Sequence, residues 1–219
     1  MNRIVIVGGH GKIALLLEKL LVDRGDEVVA VIRNPDHAAD VEAAGATPFV
    51  LDIESGTVEQ LTDAFTGADA VVFSAGAGAG SGAERKRTVD FGGSVKSAAA
   101  ASLAGVHRFV QVSAIGVENE PDPMGDETWA AYVLAKREAD DALRGSRLDW
   151  TIVRPGRLID EPGTGFVDLA YSLPHGEIPR ADVAAVIAEL LAARGTVGRT
   201  FDLVSGNKTV ADAVAAASA

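Results

Sequence analysis

Cysteine is absent from this chain. It therefore has no disulfide framework, no thiolate metal site and no cysteine nucleophile. Histidine is scarce. His10, His37, His107 and His175 are scattered and never take an H-x-x-x-H spacing, which argues against a metal centre. Positive charge is short as well: 20 Lys and Arg face 31 Asp and Glu, for a net charge of −11. That balance opposes DNA, RNA and anionic membranes as bulk partners. No apolar run reaches transmembrane length. The first residues enter a strand-like pattern without the basic, apolar and small-residue layout of a signal peptide. The expected setting is the cytoplasm, and the expected partner is a small-molecule substrate bound by a monomer or homodimer.

What is present is apolar and periodic. Hydrophobic residues make up 47% of 219 residues, enough for a full core in one domain spanning 1–219. Strand-like segments fall at Arg3–Val7, Glu27–Ile32, Thr47–Leu51, Ala70–Phe73, Arg108–Val112, Asp149–Val153 and Thr200–Val204. Helix-like segments fall at Lys12–Arg24, His37–Ala44, Val58–Phe65, Glu84–Ala104, Thr128–Arg144, Asp182–Ala193 and Thr209–Ala217. Strict alternation predicts an α/β fold, a doubly wound parallel sheet with helices on both faces. Binding sites in such folds lie beyond the carboxyl ends of the strands. Two long irregular stretches, Glu118–Glu127 and Pro155–Gly176, follow strands and are placed to flank a substrate or to be solvated loops.

The first strand runs straight into Gly8-Gly9-His10-Gly11-Lys12-Ile13-Ala14. Strand, glycine turn and helix in that order aim the helix's free N–H groups and positive dipole end at one spot, which suits a pyrophosphate. Gly8 lets the chain turn, Gly11 lets a phosphate approach the backbone, and Ala14 lets the helix pack closely. Gly8, Gly9, His10, Gly11, Lys12 and Ile13 are the expected contacts, with Lys12 adding charge near the phosphates. A plain tight turn between two core elements is the alternative.

The second strand ends in Arg33, where an acid would bind the ribose hydroxyls of NAD. A cation there suits the 2′-phosphate of NADP instead, with NAD as the alternative. Asp52, with Ile53, is placed at the adenine, or Asp52 merely caps a turn. The Ser74–Gly82 run is read as a backbone shelf beside the cofactor, with a flexible connecting loop as the alternative. After the fifth strand and Ser113, Tyr132 and Lys136 share one helix face. A lysine beside a phenol lowers the phenol's pKa, and the tyrosine then passes a proton to a carbonyl oxygen, which Ser113 also hydrogen-bonds.

Taken together, the Gly8–Ala14 turn, Val31–Pro35, Val110–Ser113, Val153-Arg154-Pro155-Gly156 and Ile178–Ala184 resemble the atypical short-chain dehydrogenase/reductases. This is the NAD(P)H-binding, epimerase/dehydratase-like family. The resemblance implies a Rossmann-like sheet with a short C-terminal substrate-side region. It places Pro155 and Gly156 beside the nicotinamide and Ser74, Ala75 and Gly76 under the cofactor. It matches Ser113, Tyr132 and Lys136 to the catalytic set. Classical members carry Asn-Ala-Gly where this chain has Ser74-Ala75-Gly76, and an asparagine where it has Asp90. Ser113 and Tyr132 also stand further apart, which requires the intervening loop to fold back. The expected function is an NADP-dependent oxidoreductase acting on a small carbonyl, quinone or similar acceptor. A non-enzymatic NADP(H) sensor and an epimerase or dehydratase are the alternatives. The short stretch after Arg154 leaves little room for a nucleotide-sugar domain.

Overall fold

The computed structural model describes every residue of the chain except Ala79 and Pro123. Four strands alternate with helices in the first part: β1 (Arg3–Val7), α1 (Lys12–Asp23), β2 (Glu27–Ile32), α2 (Ala38–Ala43), β3 (Thr47–Val50), α3 (Val58–Phe65) and β4 (Ala70–Phe73). A helix in three pieces follows: α4 (Ala83–Arg85), a π-helical segment over Lys86–Gly93, and α5 (Ser94–Leu103). Next come β5 (Arg108–Val112), α6 (Glu127–Arg144), β6 (Asp149–Pro155), β7 (Arg157–Ile159), β8 (Phe166–Ala170) and β9 (Glu177–Pro179). The last elements are α7 (Arg180–Ala192), β10 (Arg199–Ser205), β11 (Lys208–Thr209) and α8 (Val210–Ala217).

Nine strands share one sheet in the order β3-β2-β1-β4-β5-β6-β10-β8-β11. The first six positions follow the doubly wound order, with the switch point between β1 and β4. β1 and β4 are buried along nearly their whole length because helices cover both faces. One face packs Leu17 and Leu21 of α1 with Val183 and Ile187 of α7. The other packs Leu61 and Phe65 of α3, Ala100 and Ala101 of α5, and Leu143 of α6. Each fully buried Leu, Val, Ile or Phe among them contributes about 1.5–3 kcal/mol. Among the described residues, no helix is long and apolar enough to cross a membrane.

Three features depart from the sequence reading. The sheet is not wholly parallel: β8 runs antiparallel to β10, and β11 antiparallel to β8. The stretch expected to be irregular, Pro155–Gly176, contains β7 and β8, and β7 pairs with β9 in a separate two-stranded sheet. Strands of two to five residues broken by Pro and Gly are too short to show a period-2 pattern. The helix expected over Glu84–Ala104 is interrupted at Lys86–Gly93, where Asp90 is turned into the interior. π-Helical turns occur frequently at functional sites.

Candidate cofactor groove and active site

β1 ends at a turn that only glycine fits. Gly8 has φ +85°, and a Cβ there would lie 2.6 Å from the Ala75 Cα. Its close contact with the β4 exit opens a cavity of about 470 Å³ at the carboxyl ends of β1 to β4. Gly8, His10, Gly11, Arg33, Asp52, Ile53, Ser74, Ala75 and Gly76, all expected cofactor contacts, line it. Gly11 caps α1 with no side chain accepting from the first turn, and that turn holds no acid. The helix end is therefore free to meet an anion. The shelf residues Ser74–Gly78 line the cavity too, and Ala79 lies outside the described residues.

Other expected contacts lie elsewhere. Gly9 backs onto β2, where a Cβ would meet the Ala30 Cβ at 2.5 Å. The Ile13 side chain is buried in the core. Lys12 Nζ donates to Asp160 at 2.6 Å on the exterior, and this bond holds the Asp160 carboxyl below its ordinary range. Pro155 and Gly156 close the end of β6. Gly156 is tight against the Gly176 backbone, 2.3 Å from a Cβ to that carbonyl oxygen. None of these five lines the cavity.

The far end of the groove carries two arginines. Arg33 is half-exposed, 3.9 Å from the Glu54 carboxylate. Arg85 also lines the groove and donates to the same Glu54 oxygen through Nε at 3.0 Å and a terminal nitrogen at 2.7 Å. The Arg85 hydrogen bonds, with one from Thr88, hold Glu54 below the usual carboxylate range. Sequence reasoning missed Arg85 because nothing local connects it to Arg33. His10 and His37 stack with ring centroids 3.6 Å apart, and His10 Nε2 lies 2.8 Å from Asp40. Asp52 accepts from the Glu54 N–H at 2.9 Å, so it caps its turn while lining the groove.

The Tyr132 face of α6 lies beside the shelf. Lys136, 6% exposed, donates from Nζ to the Val112 carbonyl at 3.1 Å. The same nitrogen lies 3.3 Å from Asp90 Oδ1. Asp90, 1% exposed, accepts from the Ala77 N–H through Oδ2 at 3.0 Å. Ala77 lines the groove. One carboxylate thus joins the groove wall to the lysine. Burial pushes the Tyr132 phenol up. Lys136 pulls it down, and Asp90 and Asp140 add to the rise. This corrects the expectation of a lowered tyrosine: Lys136 acts in the expected direction, but burial outweighs it.

Ser113 is committed elsewhere. Its Oγ donates to Asp140 at 3.0 Å, so the proton expected to face an acceptor oxygen faces a carboxylate instead. Asp140 is fully buried and also accepts from Gln111 at 2.8 Å and from Arg154 at 3.0 and 2.9 Å. Arg154 reaches on to Glu118 at 2.8 Å. Asp140 sits one helical turn beyond Lys136, a signal that was available in the sequence. The loop between Ser113 and Tyr132 does fold back. Arg137 of α6 donates to the carbonyls of Val117, at 2.7 Å, and Asn119. Pro123 of that loop lies outside the described residues.

A glycine turn at a switch point, a shelf after β4 and a tyrosine–lysine face after β5 define a doubly wound dinucleotide-binding protein. The chain belongs to the NAD(P)H-binding family, whose model matches residues 8–194. It is 37% identical to the Bacillus subtilis (strain 168) protein named "Uncharacterized sugar epimerase YhfK", over 97% of this chain and 98% of that one. The oxidoreductase ylbE of Lactococcus lactis superposes with a TM-score of 0.85 at 28% identity, over 98% of this chain and 95% of that one. ChuY of Escherichia coli O157:H7, described as an anaerobillin reductase, superposes with a TM-score of 0.75 at 28% identity, over 94% and 98%.

Proposed function

We propose that this chain is an NADP-dependent reductase of a small carbonyl, quinone or similar acceptor, with Tyr132 as its proton donor. The observation that carries this reading is the Ala77–Asp90–Lys136 link, which connects the lysine of the tyrosine–lysine pair to the wall of the groove, while Tyr132 and Lys136 themselves lie outside its lining. The oxidoreductase and reductase descriptions of ylbE and ChuY support the same class. The groove fits a dinucleotide because Gly8 and Gly11 line it without a Cβ and the α1 N-terminus beside them has no side-chain cap and no acid in its first turn. Gly8 and Gly11 would hold the pyrophosphate, Arg33 and Arg85 the 2′-phosphate and Asp52 and Ile53 the adenine, with Ser74–Gly76 under the rest. NADPH, when bound, supplies the hydride. Tyr132 keeps its proton until an acceptor oxygen gains charge and then donates it. Lys136 stabilises the phenolate left behind. Asp140 holds Ser113 fixed.

The preference for NADP is tested by titration. Arg33→Ala is expected to cost about 1.5–3 kcal/mol of NADPH affinity, the range for a hydrogen bond to a charged group, and to leave NADH nearly unchanged. Arg85→Ala acts in the same direction, because Glu54 then turns wholly to Arg33. Equal losses for both nucleotides would overturn the assignment.

The reaction class is tested by NADPH oxidation against aldehydes, ketones, quinones and flavins. The proton that Ser113 gives to Asp140 favours the second reading, an NADP(H) sensor. Tight NADPH binding with no acceptor reduced would select it. An epimerase is the third reading, and the name of the Bacillus subtilis relative agrees with it; conversion of a nucleotide sugar with no net NADPH oxidation would select it.

A further inference from the structure

We propose that Glu54 is a specificity-determining residue of the groove, a carboxylate that competes with the 2′-phosphate for Arg33 and Arg85 and narrows the margin by which NADP is preferred over NAD. The proposal rests on the reading of those two arginines as the 2′-phosphate site. It begins from what they touch. Arg85 gives Glu54 Oε2 two hydrogen bonds, from Nε at 3.0 Å and from a terminal nitrogen at 2.7 Å. Arg33 lies 3.9 Å from the same oxygen. Thr88 Oγ1 donates to the other oxygen at 2.7 Å. Arg33, Glu54 and Arg85 all line the cavity. The groove thus carries an anion of its own on the two cations that would meet a phosphate.

The backbone beneath holds that carboxylate in place. After β3 the chain makes a tight turn in which the Gly56 N–H donates to the Asp52 carbonyl at 2.7 Å. Asp52 Oδ1 accepts the Glu54 N–H at 2.9 Å. From α5, Lys96 Nζ donates to the carbonyls of Glu54 at 3.0 Å and Gly56 at 2.8 Å. The Glu54 side chain is only 25% exposed. Hydrogen bonds from Arg85 and Thr88 keep its carboxyl below the usual range, so it is charged at neutral pH. Asp52 lines the same cavity and also acts on Arg85. The two guanidiniums are therefore largely offset before a nucleotide arrives. A 2′-phosphate must share them with Glu54 and bear the repulsion of a like charge. A 2′-hydroxyl brings no charge, and it donates a hydrogen bond that a carboxylate accepts strongly. The acid that the end of β2 lacks is thus supplied from beyond the end of β3.

The test reads binding by calorimetry and needs no acceptor. NADPH and NADH differ only in the 2′-phosphate, as do adenosine 2′,5′-bisphosphate and adenosine 5′-monophosphate. Glu54→Gln keeps the shape and an oxygen for Thr88, and removes the charge. It is expected to tighten NADPH about tenfold, the size of a single nearby charge. It is expected to weaken NADH about fivefold, because an amide oxygen is a poorer acceptor than a carboxylate. The adenosine pair is expected to move in the same two directions, which locates the effect at the 2′ position. The gain for NADPH is expected to shrink as salt is raised. Glu54→Ala is expected to repeat that gain, and it decides the matter if Glu54→Gln does not fold. Unchanged NADPH affinity in a folded variant would overturn the proposal. Weaker NADPH binding would overturn it too, because Glu54 would then orient the arginines rather than compete for them. A gain shared equally by NADH would overturn it as well. Failure of the 2′-phosphate reading looks different: Arg33→Ala and Arg85→Ala would then weaken both nucleotides equally, whatever Glu54→Gln does.

Discussion

Tyr132→Phe is expected to lower kcat by about 10²–10⁴-fold, the usual contribution of a positioned general acid, with NADPH affinity retained. The substitution removes one hydroxyl. The ring keeps its neighbours, Trp129 at 5.3 Å between centroids and Lys86 above its face. No group among the described residues hydrogen-bonds the Tyr132 hydroxyl, so the fold loses nothing when it goes. The pH dependence has a definite sign. Burial raises the phenol, so the proton-bearing form persists through neutral pH and reduction is flat there. The rate falls only as pH climbs past the raised value, and the reverse oxidation gains over the same range. Steady-state profiles of wild type and variant check both points. Wild-type turnover in the variant would mean that the proton comes from solvent or from the acceptor.

Glu18 carries the second large effect. It lies on the inner face of α1, fully buried, and neither carboxyl oxygen has a hydrogen-bond partner among the described residues. Its Oε1 stands 3.1 Å from where a Gly9 Cβ would be, directly beneath the glycine turn. Burial pushes its pKa up to about 8. An unfolded glutamate titrates near about 4.3. Below that value both states are protonated and folding carries no penalty. Between the two values the unfolded chain ionises while the folded one does not, so wild-type stability falls as pH rises, and it levels off above about 8. At about 1.36 kcal/mol per unit, the full span is worth on the order of 5 kcal/mol. Glu18→Gln keeps the shape and cannot ionise. It is expected to match wild type near pH ~4 and to be more stable by most of that amount at pH ~8. Denaturant melts across the range decide it, and a gap that does not change with pH would refute the account. The same charge, once formed, sits under the phosphate site. NADPH affinity is therefore expected to weaken above that pH in wild type and not in Glu18→Gln.

Legibility in the sequence followed the range of the interactions. β1, β2, β4, β5 and α3 lie where their residues alone place them. Their signals are local: runs of β-branched residues, and for α3 a capping box between Thr57 and Gln60. The glycine turn, Arg33 and the Tyr132–Lys136 spacing were legible for the same reason. What was not legible joins distant parts of the chain. Arg85 reaches Glu54 across the groove, Asp90 reaches Lys136 from another helix, and Arg154 meets Asp140 between a strand and a helix. Spacing also says nothing about what opposes an effect. Lys136 was rightly placed beside Tyr132, but its buried counter-charge and the desolvation of the phenol were invisible. The turn shows the limit from the other side: Gly9 and Ile13 stand inside a legible motif and face the core.

Edge strand β3 has one further consequence. It pairs with β2 on one side only, with Pro48 in register with Ala30. The Leu51 N–H points inward, to the Ile32 carbonyl. N–H directions alternate along a strand, so the position occupied by Pro48 faces outward. Proline has no N–H to offer there. A foreign strand arriving at this border would find a donor missing from the ladder, while the bonds to β2 are untouched. The imino acid thus weakens the pairing this border can offer a neighbouring molecule, one of the ways proteins blunt an exposed sheet edge.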